Sequence, residues 1–274
     1  MSKQTVSRRV TVPSLRARKG SEKIVCLTAY TAPMAQLLDP HCDLLLVGDS
    51  LGMVVHGFST TVGVTLDMMI LHGRAVVRGS SHALVAVDLP FGSYERSPEQ
   101  AFAAASRTLC ETGAQAVKVE AADGVADSIA FLTGRGIPVI GHVGLRPQAV
   151  HLEGGFKARG RSAEERERVL AEARATDAAG AIAIVVEGVT PELAAEITVA
   201  VSCPTIGIGA SNACDGQILV SEDMLGVFDT TPKFVRRYAD LRTTISDAAA
   251  GYAAEVRSGV FPSEAEEYRL KSHS

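Results

Sequence analysis

Seven short apolar runs, each about the length of one β-strand, recur along the chain with helical stretches between several of them. This alternation constrains the fold more than any other feature. The runs are Lys23 to Thr28, Asp43 to Val47, Leu84 to Val87, Ala116 to Val119, Pro138 to Ile140, Ile182 to Val186 and Pro204 to Ile208. They are continuous rather than alternating, the pattern of strands buried on both faces of a parallel sheet. Helix ends are legible between them. Ser97-Pro98-Glu99-Gln100 supplies an N-cap, a first-turn proline and a capping-box glutamine, and Gly113 ends that helix. Ser162 with Glu165 starts a second helix that closes at Gly180, and Thr190-Pro191-Glu192 starts a third.

Strand-then-helix units in this number predict a barrel or a doubly wound sheet. The 274 residues are near the length typical of a (β/α)8 barrel, and Gln217 to Val220 is the candidate for the eighth strand. No linker or shift in composition marks a second domain. The expectation is therefore a single α/β domain, a (β/α)8 TIM barrel over residues 1–274. It carries an N-terminal extension over about 1–20 and a C-terminal helical tail over about 240–274.

With 46% hydrophobic and 21% charged residues, the chain is not disordered as a whole. A formal net charge of -4 gives no reason to expect a nucleic-acid partner. The basic residues near the start (Arg8, Arg9, Arg16, Arg18, Lys19) are broken by Val10, Val12 and Leu15 and read as a solvated segment. No apolar signal region follows them, and runs such as Ala181 to Val186 are too short to cross a bilayer, so no membrane association is expected. The five cysteines form no C-x-x-C pair, the pattern of reduced thiols in a cytoplasmic protein.

The residues that end the apolar runs point to chemistry. Asp43 to Gly48 leads into Asp49-Ser50, Leu84 to Val87 into Asp88, Ala116 to Val119 into Glu120, Val139 to Gly141 into His142, and Ile182 to Val186 into Glu187. Five strands thus deliver ionisable groups at their C-terminal ends, which in a barrel converge on the face where active sites are built. One aspartate after a strand is ordinarily a turn residue or a helix cap. Glutamate is a poor turn residue, and the turn explanation must hold at all five strands together. Lys118 and Glu120 lie two apart and share a strand face, where they read either as an internal ion pair or as part of the site. Carboxylates with no cysteine and at most one histidine suit a hard divalent cation, Mg²⁺. An oxo acid with adjacent carboxylate and keto oxygens would chelate such an ion, and Lys118 would neutralise its remaining charge. His142 reads equally well as a core histidine and as a catalytic one. The basic, glycine-rich stretch from Gly154 to Arg161 reads as a lid over an anionic ligand or as a solvated loop; it lacks the GK[ST] element of a P-loop.

Six segments in order carry a resemblance: Val47 to Met53, Asp88 to Tyr94, Val117 to Glu120, Gly141 to Leu145, Val186 to Val189 and Asp215 to Val220. From about Val12 to Ala239 the chain closely resembles the ketopantoate (3-methyl-2-oxobutanoate) hydroxymethyltransferase family. The resemblance implies a (β/α)8 barrel and Mg²⁺-dependent transfer of a hydroxymethyl group from 5,10-methylenetetrahydrofolate to 2-oxoisovalerate. The product would be ketopantoate, on the route to pantothenate and coenzyme A, formed through a Mg-stabilised enolate. It further implies Asp49 and Asp88 as metal ligands with Glu120 also at the metal, and Ser50 and Lys118 at the oxo acid alongside Asp49 and Asp88. Glu187 would accept the proton, and an apolar strand behind it would raise its proton affinity. A homo-oligomer, a decamer, is implied too. Thr31 and Ser211 stand where the family often has Asp and Gly, at positions without an assigned role. The alternative is a related Mg-dependent lyase or mutase barrel that makes or breaks C–C or C–P bonds beside an oxo acid. The K-x-C-G-H-like loop expected of an isocitrate lyase is absent. A catalytically dead scaffold would lack one of Asp49, Asp88 or Glu187, and all three are present.

Overall fold

The structure, a computed structural model, describes residues 9–122 and 124–268. Eight parallel strands close into a barrel in chain order: β1 Ile24–Thr28, β2 Leu44–Val47, β3 Leu84–Asp88, β4 Ala116–Glu120, β5 Val139–Gly144, β6 Ala183–Glu187, β7 Thr205–Ile208 and β8 Gly216–Leu219. Pairing of Ile24 with Gly216 through Leu27 with Leu219 joins the last strand to the first, so no edge is left open. The helices are α1 Val12–Arg16, α2 Ala32–Leu38, α3 Leu51–Val54, α4 Leu66–Gly79, α5 Pro98–Thr112, α6 Val125–Thr133, α7 Val150–Glu153, α8 Ala163–Ala178, α9 Pro191–Ala200, α10 Ser221–Met224 and α11 Leu241–Ser258. The N-caps read from sequence are in place, although Gln100 accepts the Arg96 N–H rather than closing a capping box on Ser97. Ser97, Ser162 and Thr190 each accept a hydrogen bond from a backbone N–H three residues on, and Gly113 closes α5 in the left-handed conformation.

The barrel belongs to a compact unit that ends at Ser221; a second unit begins at Glu222. Within it α11 spans Leu241–Ser258, and none of its residues is buried. The barrel is complete before this unit begins, since β8 ends at Leu219.

Side chains of alternate residues point to one face of a strand, and this sorts the barrel into layers. Ile24, Cys26, Leu44, Leu46, Leu84, Ala86, Ala116, Ile140, Ala183, Val185, Ile206 and Ile218 form one buried apolar cluster, the barrel interior. Continuing the same parity toward the C-terminal ends reaches Asp88, Lys118, Glu120, His142 and Glu187. The interior is thus apolar below and ionisable at its mouth. Residues of the opposite parity, such as Leu45, Val85, Val117 and Ile184, pack outward under the helices.

The N-terminal segment differs from the solvated extension expected. Val10 and Leu15 belong to the interior cluster. Arg9 donates to the carbonyls of Ser80 and Ala83, Arg18 pairs with Asp43 at 2.9 Å, and Lys19 pairs with Asp215 at 3.0 Å. These partners lie far away in sequence, so the charge run looked solvated when read locally. Arg8 lies outside the described residues. All five cysteines are free thiols, four of them buried.

Asp39, just after α2, fixes the turn that feeds β3. Its carboxylate accepts from the backbone N–H groups of Ser81, His82 and Ala83 at 2.8 Å each and from the Ser80 hydroxyl at 2.6 Å. Burial alone would raise its pKa, but these donors outweigh it and hold the group at about 2, below the usual 3.8. The contribution is therefore full above pH 4 and is lost as pH falls toward 2. Asp39→Asn places an amide against N–H donors and is expected to cost about 1.5–3 kcal/mol. Urea unfolding at pH 7 should show that loss, and the gap from the parent should narrow in acid. Equal midpoints at pH 7 would contradict the role given to Asp39.

Candidate active site

The C-terminal mouth of the barrel gathers most of the residues read from the strand ends. Asp49, Asp88, Lys118, Glu120 and His142 are all buried, and Glu187 is partly exposed, its side chain at 19%. Lys118 pairs with Asp88, Nζ to Oδ1 at 2.7 Å, rather than with Glu120 as its strand face suggested. The register explains this, since Lys118 is the cross-strand partner of Asp88 in the β3–β4 ladder. Asp88 Oδ2 also accepts the backbone N–H of Asp49 at 3.1 Å, which ties the end of β2 to the end of β3. Ser50 follows Asp49, its Oγ 2.8 Å from the Tyr30 hydroxyl.

Three buried carboxylates share one ammonium here. Burial and the charge of Asp88 push Asp49 up from the usual carboxylate range, and burial together with Asp49 pushes Glu120 up. Burial alone would lower Lys118, but Asp88, Asp49 and Glu120 hold its ammonium above the ordinary lysine range. The donor set is all hard oxygen, and its excess negative charge is the condition a divalent cation relieves. In donor type Asp49, Asp88 and Glu120 suit such an ion, but among the described residues no three ionisable side chains stand grouped closely enough to hold one as they are placed.

His142 is not a satisfied core histidine. Its ring is buried and neither nitrogen makes a well-aligned hydrogen bond, although Nε2 lies 3.2 Å from Glu187 Oε2 and Nδ1 3.9 Å from Glu120 Oε1. Glu187 is the least enclosed carboxylate of the set, so the burial expected behind it falls on Asp49 and Glu120 instead. Its backbone is held close to β5: Leu145 N–H donates to Glu187 O, and a Cβ on Gly144, at φ +99°, would sit 2.2 Å from that oxygen. Only glycine fits there.

Two residues of the site escaped the sequence reading. Gln148, in the loop after β5, donates from Nε2 to Asp49 Oδ2 at 2.9 Å and to Leu89 O at 3.0 Å, and its backbone N–H points at Glu120. Tyr94, after β3, donates to Gln148 Oε1 at 2.6 Å and accepts the Glu120 N–H at 3.1 Å. Every donor faces an acceptor, which fixes the orientation of the amide. Neither residue ends an apolar run, so no local signal marked them. Tyr94, Glu120 and Gln148 also wall a cavity of about 330 Å³ whose other sides include Phe91, Val125 and Leu152.

The 154–161 loop is held at one end. Arg159 pairs with Glu153 and, at 3.2 Å, with Glu165, and its N–H donates to Gly188 O at 2.7 Å, next to Glu187. Lys157 and Phe156 stand exposed. The loop is therefore not wholly solvated. Removing a buried partner strands the groups it satisfied, at about 1–3 kcal/mol each. Gln148→Leu should therefore destabilise the protein more than Tyr94→Phe in urea unfolding. A Gln148→Leu protein as stable as the parent would contradict this network.

Comparisons with known proteins agree with one another. The family profile for ketopantoate hydroxymethyltransferase matches residues 9–264. The 3-methyl-2-oxobutanoate hydroxymethyltransferase of Maricaulis maris is 64% identical over 97% of this chain and 96% of its own. That of Phenylobacterium zucineum is 66% identical over the same shares, and that of Agrobacterium fabrum 59% over 100% and 99%. Among solved structures, a 2,3-dimethylmalate lyase of the PEP mutase/isocitrate lyase superfamily superposes with a TM-score of 0.59 at 17% identity, covering 94% of this chain and 91% of its own. The phosphoenolpyruvate phosphomutase of Streptomyces platensis gives 0.62 at 12% identity, covering 91% and 88%. These two likenesses establish the barrel alone. With the family profile spanning nearly the whole chain, this protein belongs to the ketopantoate hydroxymethyltransferase family and is a hydroxymethyltransferase.

Proposed function

We propose that the protein transfers a hydroxymethyl group from 5,10-methylenetetrahydrofolate to 2-oxoisovalerate, with Mg²⁺ held by Asp49 and Asp88 and with Glu120 beside it. The product is ketopantoate, which feeds pantothenate synthesis, in the cytoplasm. The observation that carries this reading is the meeting of three buried carboxylates with a single ammonium at the barrel mouth of a chain of this family. When bound, Mg²⁺ supplies Lewis acidity toward the keto oxygen of the substrate.

The chain's own residues do the rest. Lys118, held by Asp88, presents its charge to the substrate carboxylate, and Ser50, steadied by Tyr30, offers a hydroxyl at the same end. Glu187 takes the proton from C3. It is the carboxylate with access to solvent, its Oε2 lies 3.2 Å from the His142 ring, and it is the one not needed to hold the ion. C3 then bonds to the one-carbon unit, water supplies the hydroxyl oxygen, and tetrahydrofolate leaves. The cavity beside Tyr94 and Glu120, with Phe91, Val125 and Leu152 in its walls, offers the ring system of the carrier an apolar seat next to the oxo acid. Homo-oligomerisation, as a decamer, belongs to the same reading; exposed Ile245, Tyr252 and Val256 on α11 offer apolar area for association of some kind.

Deuterium exchange at C3 of 2-oxoisovalerate in D2O, with Mg²⁺ and without folate, isolates the proton transfer. Glu187→Gln keeps shape and loses basicity, so exchange should fall by roughly 10²- to 10⁴-fold with substrate binding retained. If the variant exchanges as fast as the parent, Glu187 is not the base and His142 takes its place.

A further inference from the structure

Outside the barrel mouth, two histidines face each other. His56 follows α3 and His72 lies within α4, and their Nε2 atoms are 3.0 Å apart. The rings meet edge to face, 5.2 Å between centroids, with Phe58 stacked at a tilt against His56 at 5.9 Å. His56 is exposed and His72 half-buried, so water reaches the pair.

Hydrogen bonding assigns the protons. His72 Nδ1 lies 2.7 Å from the Tyr30 carbonyl oxygen, which can only accept. Nδ1 therefore carries the proton, and Nε2 of the neutral ring is left with a lone pair aimed at His56. A ring whose far nitrogen is fixed by a backbone carbonyl, with the near one directed outward, is the arrangement found behind metal-binding imidazoles. His56 donates its Nε2 proton across the gap in the metal-free pair. If that proton is lost to water and Nδ1 takes one up, both Nε2 lone pairs face the gap and neither ring changes charge.

We propose that His56 and His72 form a two-imidazole site for a borderline divalent transition metal such as Zn²⁺, with water completing the coordination. Among the described residues no third histidine, cysteine or carboxylate joins them. Two nitrogens without carboxylates select Zn²⁺, Ni²⁺ or Cu²⁺ over Mg²⁺, so this site and the oxygen-lined mouth sort metals by donor type. The pair is linked to the mouth through one residue: Tyr30 holds His72 with its carbonyl and meets Ser50 with its hydroxyl. Occupancy fixes the position of the helix bearing His72 against that link.

The test uses the full chain with saturating Mg²⁺, which keeps the oxygen donors engaged, and Zn²⁺ as the probe. Calorimetry gives the affinity, and ¹⁵N NMR of the histidine side chains shows which rings bind. The imidazole signals of His56 and His72 should move together on adding Zn²⁺. His56 is exposed, so His56→Ala should fold as the parent does, bind Zn²⁺ roughly 10- to 100-fold more weakly, and leave His72 unmoved. The proposal is overturned if Zn²⁺ moves neither ring, or if the parent and His56→Ala bind it equally. The NMR shifts of the parent decide the matter alone if the variant does not fold.

Discussion

The buried negative charge at the mouth of the barrel is the constraint around which the rest of the site is arranged. Asp49, Asp88 and Glu120 are removed from water together, with Lys118 as their ammonium. Carboxylates so placed repel one another and lose hydration, which is why burial and mutual repulsion push Asp49 and Glu120 upward. The protein meets part of this cost with directed donors. Gln148 donates to Asp49 and toward Glu120, Tyr94 holds Gln148, and the Asp49 N–H donates to Asp88. A second positive charge would meet the remainder, and the donors left for it are hard oxygens.

The barrel makes this concentration of charge possible. Strand parity places Ala86, Ala116, Ile140 and Val185 below and Asp88, Lys118, Glu120, His142 and Glu187 above them, so a dry floor supports a polar rim. The floor is closed from beneath by Val10 and Leu15, which makes the N-terminal segment part of the core. Asp39 then anchors the turn into β3, and Gly144 allows the β5 and β6 ends to approach, so Glu187 faces His142. Each of these devices acts far in sequence from the groups it positions.

Strands were legible because parallel strands covered on both faces are continuously apolar, and this holds for β2 to β6. β8 was the weakest signal for the same reason in reverse, since Gln217 at its centre is exposed. Groups at strand ends could be read as converging because the barrel rule is general. Their partners could not. Lys118 was set beside Glu120 by strand parity, but the ladder puts Asp88 opposite it. Gln148 and Tyr94 come from loops, where spacing says nothing of direction. Arg9, Arg18 and Lys19 looked solvated because their partners are Ser80, Asp43 and Asp215.

In the proposed function this charged mouth joins a one-carbon unit to C3 of 2-oxoisovalerate with the help of a divalent cation. ¹³C NMR of the parent protein with 2-oxoisovalerate and methylene-labelled 5,10-methylenetetrahydrofolate tests it directly. The label should appear in a hydroxymethyl carbon bonded to C3, vanish from product after chelation by EDTA, and return on adding Mg²⁺. Product formation unchanged by chelation, or no labelled product with Mg²⁺ present, would contradict the account.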